Sequence, residues 1–134
     1  MTNCIFCRII NKEIPNHTVY EDKNVLAFLD IKPHAKGHTV IIPKKHGELA
    51  EDFTELEYLE LMKVVRMVMK KIKLKLHPDG LNVGWNNGSA AGQVVPHLHV
   101  HIMPRWNGDG GGSMHSIINN PGDLNVGEVA KLFR

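Results

Sequence analysis

Pro96–Arg105 reads PHLHVHIMPR, and the rest of the chain can be interpreted around this stretch. Side chains alternate between the two faces of a β-strand, so a strand here would place three histidines on one face and Leu98, Val100 and Ile102 on the other. Neighbouring histidines would lie about 6.6 Å apart, at roughly 3.3 Å rise per residue, close enough for two of them to flank one phosphate or metal ion. The stretch therefore predicts a strand with a core face and a chemical face.

Length and composition indicate one globular domain. The chain has 134 residues, of which 43% are hydrophobic and 22% are charged, a balance that excludes a disordered protein. The formal net charge of +2 does not indicate the clustered cations of a nucleic-acid binder, so we expect no nucleic-acid partner. Because the sequence shows neither an eighteen-residue apolar run nor a signal-peptide pattern, we expect no membrane partner and a cytoplasmic location.

Four further segments have the β-branched or alternating patterns of strands. His17–Glu21 and Val25–Asp30 flank a short polar turn and predict a hairpin. His38–Ile42 predicts a third strand, and Leu81–Asn86 a fourth. With the histidine stretch as the fifth, the pattern predicts a small sheet.

Helical signals lie at the start, the middle and the end of the chain. Thr54 and Glu57 have the spacing of a capping box and predict the start of a long helix. Apolar residues at intervals of three or four predict its buried stripe, namely Leu59, Met62, Val65, Met69, Ile72 and Leu76. A turn of helix is predicted at the amino terminus, in the segment that opens with Cys4–Ile10 and is closed by Ile14-Pro15. Periodicity is lost after Arg105, so we expect a core of about residues 4–105 and a glycine-rich tail over 106–134, with a short helix near its end.

The three histidines allow three interpretations. A neutral imidazole could attack phosphorus and form a covalent intermediate, or the three rings could hold a catalytic metal with an open position. They could also be polar residues that face water. The loop 87–93, NGSAAGQ, contains small residues that let backbone N–H groups approach a phosphate, although an ordinary hairpin connection has the same composition. Asp30 could accept ribose hydroxyls or be a simple turn residue.

Cys4 and Cys7 have the C-x-x-C spacing of half a zinc site. A closed tetrahedral site needs two more ligands, and His46 and one of the triad histidines are the candidates. Two ordinary reduced cysteines are the main alternative. A thioredoxin-like redox pair is disfavoured because no βαβ pattern surrounds the motif.

The chain resembles the histidine triad (HIT) superfamily, most of all its branch of small bacterial proteins and histidine triad nucleotide-binding proteins. The resemblance covers roughly residues 4–105 and rests on the motif His-φ-His-φ-His-φ-φ, with φ apolar, and on matching segments at 4–10, 26–31 and 37–46. It implies an α+β fold with a five-stranded antiparallel sheet, one long helix and a short amino-terminal helix. It also implies a homodimer in which two sheets form one of ten strands.

The resemblance further implies a metal-independent hydrolase or transferase without an organic cofactor. His99 would attack the α-phosphate of a purine nucleotide substrate and be transiently nucleotidylated, and water would then release a nucleoside monophosphate. His101 would contact the scissile phosphate and the leaving group, and His97 would be an orienting or structural residue. Nucleoside phosphoramidates, including adenylated lysine, are the implied substrates. Dinucleoside polyphosphate hydrolysis, or nucleotide binding with little turnover, are the alternatives.

Other residues acquire roles by position in the resemblance. Phe28 and Ile31 would wall the base, Asp30 would bind the ribose, and the implied phosphate contacts are Asn86, Gly92, Gln93, His99 and His101. Val94 stands where several relatives carry Ser or Thr, so backbone amides would do more of the phosphate binding there. The implied structural zinc ligands are Cys4, Cys7, His46 and His97.

Overall fold

A five-stranded antiparallel sheet forms the centre of the molecule, which is represented by a computed structural model that describes residues 3–134. The strands are Thr18–Glu21 (β1), Val25–Leu29 (β2), Thr39–Pro43 (β3), Gly80–Gly84 (β4) and Val100–Arg105 (β5). Their order across the sheet is β1-β2-β3-β5-β4. The predicted α+β class and five-stranded sheet are confirmed.

The hairpin of β1 and β2 is closed by an aspartate. One carboxylate oxygen of Asp22 accepts hydrogen bonds from the backbone N–H groups of Asn24 and Val25, at 2.8 and 2.9 Å. An aspartate that bonds the backbone two residues ahead forms an Asx turn, which reverses the chain without needing glycine. The next connection ends at Gly37, whose φ of +83° and close approach to the Leu76 side chain both favour glycine.

Three α-helices accompany the sheet, at Ile5–Ile10 (α1), Glu55–Leu76 (α2) and Val126–Lys131 (α3). The predicted capping box starts α2, because the Thr54 hydroxyl accepts from the Glu57 N–H and the Glu57 carboxylate accepts from the Thr54 N–H. Among residues 3–134, no helix combines the length and the apolar character that crossing a membrane requires.

The buried face of α2 differs in part from the predicted stripe. Leu59 and Met62 are 62% and 37% exposed. Leu61 is 1% exposed, and it lies only two residues, or about 200° of helical rotation, from Leu59. The two leucines therefore face opposite ways, and the periodicity alone did not show which of them met the sheet. The buried residues of α2 are Leu61, Val64, Val65, Val68 and Ile72.

Apolar clusters cover the two faces of the sheet unequally. On one face α2 packs against Leu98, Val100 and Ile102, which confirms the predicted core side of the histidine stretch. On the other face the short helix α1 covers side chains of β2 and β3, among them Phe28 and Val40. The β4–β5 half of that second face lies beyond α1.

Only part of the histidine stretch is a strand. β5 begins at Val100, so His97 and His99 precede it, contrary to the expectation of one continuous strand. The Leu98 N–H donates to the Gly47 carbonyl at 2.7 Å, and His97 Nε2–H donates to the Pro43 carbonyl at 2.8 Å. The segment is therefore fixed by the chain that leaves β3 rather than by the ladder. After Trp106 every residue is exposed, including a 3-10 turn at Met114–Ser116.

Candidate functional site

His99 is held in one tautomer by a backbone carbonyl. Its ring is 8% exposed, and Nδ1 lies 2.7 Å from the carbonyl oxygen of His97. A carbonyl only accepts, so Nδ1 must carry the proton and Nε2 of the neutral ring carries a lone pair. His99 therefore presents an unprotonated nitrogen, the form that a nucleophile requires.

His101 is held in the opposite tautomer, with its proton on Nε2, by a hydrogen bond from His38. The His34 backbone N–H donates to His38 Nδ1 at 3.2 Å, so the proton of the neutral His38 ring lies on Nε2. That Nε2–H points at Nδ1 of His101, 2.9 Å away. His101 must then carry its own proton on Nε2. The rings of His99 and His101, whose centroids are 5.0 Å apart, thus offer a lone pair on His99 and an N–H donor on His101 side by side.

Burial keeps these imidazoles neutral. It lowers the pKa of His101 to about 4, assisted by the neighbouring His99 and His38 rings and opposed by Asp30. It also lowers the pKa of His99, where the hydrogen bond to the His97 carbonyl acts in the opposite direction. The pKa of His38 is lowered by burial against the pull of Asp30, whose carboxylate is 3.8 Å away. The imidazoles of the site are therefore neutral at pH 7. An anionic phosphate bound beside them would raise their pKa values.

Two residues of the site were missed by the sequence analysis. His38 was treated only as the first residue of a strand, although a histidine next to Gly37 at a strand entrance could have indicated a polar role. Phe6 was noted only as part of the C-x-x-C segment. Its ring centroid lies 5.0 Å from that of His99 and 5.9 Å from that of Phe28, so it packs edge-on against the His99 ring. These contacts are long-range, and no spacing rule in the sequence encodes them.

The expected base and ribose residues lie beside this pair of rings. Phe28 is 6% exposed and packs under α1, whereas Ile31 is 78% exposed at the rim. Asp30 follows β2, and one of its carboxylate oxygens accepts from the Lys32 N–H at 2.9 Å. The other oxygen lies towards His38. Asp30 therefore both stabilises the turn and lies in the site, two roles that were alternatives in the sequence.

The glycine-rich loop is more ordered than a simple phosphate cradle. The N–H groups of Ala91, Gly92 and Gln93 donate to carbonyls within the loop, at 3.0 to 3.1 Å. The Gln93 side chain accepts from the Gly88 N–H at 2.7 Å and donates to the Glu48 carbonyl at 2.8 Å. Gly92 has a φ of +98°, which the turn requires. In this conformation Gln93 shapes the loop rather than extending towards a ligand.

Asn86 and Val94 lie at the two ends of that loop. Asn86 is exposed, and its side chain is next to Gly92. Val94 is 89% exposed and offers an apolar side chain, not a hydroxyl, to this rim.

Cys4, Cys7, His46 and His97 form a compact cluster at the other end of the histidine stretch. His46 Nδ1 lies 3.2 Å from His97 Nδ1 and 3.3 Å from Cys7 Sγ, while His97 Nδ1 lies 3.4 and 3.6 Å from the sulfurs of Cys4 and Cys7. A tetrahedral zinc ion would separate two nitrogen ligands by about 3.3 Å and nitrogen from sulfur by about 3.6 Å. The four donors therefore fit zinc in number, type and spacing.

The second ring nitrogen of His97 supports the same assignment. It donates to the Pro43 carbonyl, which orients the ring and leaves Nδ1 for the metal. Burial lowers the pKa of His97 to about 4, so its ligand nitrogen is unprotonated at neutral pH. All four expected zinc ligands thus lie close together, although they are up to 93 positions apart in the sequence.

The triad histidines do not share one ligand set in the described part of the chain. His97 belongs to the cysteine cluster, His101 belongs to a group with Asp30 and His38, and His99 belongs to neither. In that second group His38 Nε2 lies 2.9 Å from His101 Nδ1, and the centroids of these two rings are 5.1 Å apart. The two rings therefore point at each other as a hydrogen-bonded pair does. This geometry disfavours the interpretation of the triad as a cage for one catalytic metal.

Comparisons with known proteins agree with this geometry. The family model of the HIT domain matches residues 11–108. The adenosine 5'-monophosphoramidase HNT1 of Saccharomyces cerevisiae is 43% identical over 102 residues, which are 76% of this chain and 62% of the yeast protein. A crystal structure of a HIT family member from Bacillus subtilis superposes with a TM-score of 0.86 at 40% identity, covering 98% of this chain and 93% of that one. A zinc-bound histidine triad family protein from Mycobacterium smegmatis superposes with a TM-score of 0.76 at 38% identity, covering 81% and 78%.

The matched residues contain the whole histidine stretch and all five strands of the sheet that supports it. The two solved structures extend the similarity to the architecture, and their identities exceed those at which only a fold is shared. The chain is therefore a member of the HIT domain family.

Proposed function

We propose that the protein hydrolyses nucleoside 5'-phosphoramidates through a nucleotidylated His99. The observation that carries the proposal is the pair of tautomers, a lone pair on His99 Nε2 beside an N–H on His101 Nε2. An attacking nitrogen and a proton donor are what displacement of an amine from phosphorus needs. The yeast relative that is a phosphoramidase supports the same substrate class.

The reaction balances with these two rings and one water molecule. His99 Nε2 forms a bond to the α-phosphorus while the bond from phosphorus to the substrate's nitrogen breaks, and the departing amine takes a proton from His101. Water then attacks the phosphorus and breaks its bond to His99, which releases the nucleoside monophosphate, and the proton that the water loses returns to His101 Nε2. The sum is phosphoramidate plus water giving monophosphate plus amine. The His38 ring acts here as a positioning residue for His101.

In this proposal the rest of the nucleotide lies along the sheet. With phosphorus at the His99–His101 pair, the ribose hydroxyls reach Asp30 and the base lies between Phe28 and the exposed Ile31. Asn86, Gly92 and Val94 border the phosphate from the loop side. Gln93 contributes by fixing the loop. A purine suits the apolar wall, which includes the edge of Phe6.

Adenosine 5'-phosphoramidate tests the proposal directly. We expect the protein to convert it to AMP and ammonia, a reaction that chromatography can measure. The kcat/KM for this substrate should be higher than that for diadenosine polyphosphates. AMP that binds in calorimetry without turnover of any phosphoramidate would contradict the proposal and favour a nucleotide-binding or scaffold role. Turnover of the polyphosphates alone would favour the alternative hydrolase.

We also propose that two copies pair along β4 to form a ten-stranded sheet. In the described chain β4 is an edge strand, with β5 on one side only, and unpaired edges readily pair with another chain. Sedimentation equilibrium should return twice the chain mass of 15.1 kDa. A concentration-independent mass of one chain would contradict the dimer.

The cysteine cluster is proposed as a structural zinc site. Bound zinc would tie α1 to the histidine stretch and leave His99 and His101 free. Thiolate ligands suit a reducing compartment, and we place the protein in the cytoplasm. We take residues 1–134 as a single HIT domain with its core at about 4–105.

A further inference from the structure

The two thiols of the cysteine cluster differ in exposure. Cys4 is 8% exposed, whereas Cys7 is partly open to solvent. The Cys7 N–H donates to Cys4 Sγ at 3.4 Å, and the donor atoms of the cluster all lie within 4.8 Å of one another. The two sulfurs are therefore close enough to form a disulfide by a local movement. A thiolate that solvent reaches is the one that an oxidant meets first, so Cys7 is the point of attack.

One aromatic side chain connects these sulfurs to the nucleotide site. Phe6 lies between the two cysteines on α1, and its ring centroid is 5.8 Å from that of His97 and 5.0 Å from that of His99. It is also 5.9 Å from the centroid of Phe28, the proposed wall of the base. A change in the position of α1 would therefore reach the nucleotide site through Phe6.

The first turn of α1 depends on the cluster for its position. The helix has only six residues, too few to be stable in isolation, and Ile9, near its end, is its one fully buried residue. At its start, Cys4 Sγ lies 3.4 Å from His97 Nδ1 and Cys7 Sγ lies 3.3 Å from His46 Nδ1. Loss of these contacts would release the turn that carries Phe6 while Ile9 stays packed on the sheet.

We propose that Cys4 and Cys7 are a site of reversible oxidation by peroxides, at which disulfide formation releases zinc and weakens nucleotide binding through Phe6. This inference rests on the proposed zinc site and on nucleotide binding, and it makes no use of the hydrolytic step. It differs from a thioredoxin-like role, because the dithiol is itself the target of the oxidant and passes no electrons to another protein.

The oxidation balances with one molecule of hydrogen peroxide. The Cys7 thiolate forms a bond to one peroxide oxygen while the O–O bond breaks, which gives a sulfenic acid and a hydroxide ion. The Cys4 thiolate then forms the S–S bond and displaces a second hydroxide ion. Two thiolates are thus oxidised to a disulfide and the peroxide is reduced. Zinc would keep only His46 and His97, half of the ligands that a closed site requires, so the ion leaves.

The chemistry at His99 should be spared by this change. The carbonyl that fixes its tautomer belongs to the main chain of His97, and the next N–H, of Leu98, is bonded to the Gly47 carbonyl. Neither contact involves a sulfur. Oxidation should therefore lower the affinity for the nucleotide, seen as a raised KM, and leave kcat nearly unchanged.

Zinc release and mass test the oxidation without an assay of hydrolysis. Zinc-loaded protein is treated with hydrogen peroxide in the presence of a chromogenic chelator, with untreated protein as the reference. We expect peroxide to release one zinc ion per chain and to give a chain lighter by two hydrogen atoms that iodoacetamide does not alkylate. A dithiol reductant with added zinc should reverse both changes. Retention of zinc under peroxide, or its release without the disulfide, would overturn the inference.

Cys7→His is the matched control, since it keeps four ligands but has only one thiol. We expect this variant to retain zinc at the peroxide concentration that empties the wild type. It also keeps all six methionines, so it controls for their oxidation. Equal zinc release from the variant and the wild type would overturn the role of the dithiol.

Calorimetric binding of AMP tests the connection through Phe6. We expect the oxidised wild type to bind AMP at least about fivefold more weakly than the reduced, zinc-loaded protein. In Phe6→Ala the two forms should bind with equal affinity, because the connecting side chain is absent. No loss of affinity in the wild type, or the same loss in Phe6→Ala, would overturn the inference. Protein that binds no zinc before oxidation would contradict the zinc site as well, whereas a lack of phosphoramidate hydrolysis would count against the hydrolytic function alone.

Discussion

His99→Ala is expected to abolish phosphoramidate hydrolysis, with a fall in kcat of at least about 10⁴-fold, because the variant lacks the nitrogen that is proposed to form the covalent bond to phosphorus. Removal of the imidazole leaves space that water can enter to solvate the His97 carbonyl, so the fold should persist. Wild-type protein quenched with denaturant at alkaline pH should carry the mass of one nucleotidyl group under single-turnover conditions, and the variant should not. His17→Ala, at an exposed histidine outside the site, is the matched control.

The dependence of kcat/KM on pH is a second test of His99 as the nucleophile. Burial lowers the pKa of His99, so its neutral form persists when the pH falls through 6.5, the ordinary value for histidine. We therefore expect kcat/KM to remain level through pH 6.5 and to decline only at lower pH. A profile that halves at pH 6.5, or residual turnover of the Ala variant within about tenfold of the wild type, would refute this assignment of the nucleophile.

Loss of the zinc site is expected to affect stability more than chemistry. A ligand that binds only the folded state at a thousand times its Kd contributes about 4 kcal/mol, which corresponds to a melting-temperature change on the order of 10 to 20 °C for a domain of this size. Cys4→Ser should lower Tm by that order and reduce the zinc content, measured by mass spectrometry, from one ion per chain towards none. Chelation should lower the wild-type Tm similarly and leave the Cys4→Ser Tm unchanged.

Two controls define what would count against a structural role. Asn3→Ser, at an exposed residue next to Cys4, changes the same segment without removing a ligand and should retain zinc and Tm. Metal-depleted protein, assayed well below its Tm, should still release AMP. Immediate loss of activity on chelation while the protein remains folded would instead support a catalytic metal.

The sequence predicted those features whose signal is local. The capping box at Thr54, the short polar turn before Val25 and the apolar alternation at Leu98, Val100 and Ile102 each depend on a few neighbouring residues, and the structure has them where expected. The resemblance implied four zinc ligands, and the structure brings their donor atoms within 4.8 Å of one another.

Features that depend on distant contacts could not be predicted. Whether Leu59 or Leu61 faced the sheet depends on the rotation of α2 against strands that the sequence does not order. The role of His38 depends on β3 lying beside β5, and that of Phe6 on α1 crossing the second face. The interruption of the strand before Val100 arises because the Pro43 and Gly47 carbonyls capture the residues that precede it.

One residue performs two separable tasks with different atoms. The imidazole of His97 belongs to the cluster with Cys4, Cys7 and His46, while its main-chain carbonyl orients His99. Every amino acid has that carbonyl, so the orientation of the His99 ring does not require a histidine at position 97. Descendants of this sequence could therefore replace the two thiols and the ring together, exchanging metal for ordinary packing, while the catalytic machinery is inherited intact. The metal and the reaction are free to evolve independently.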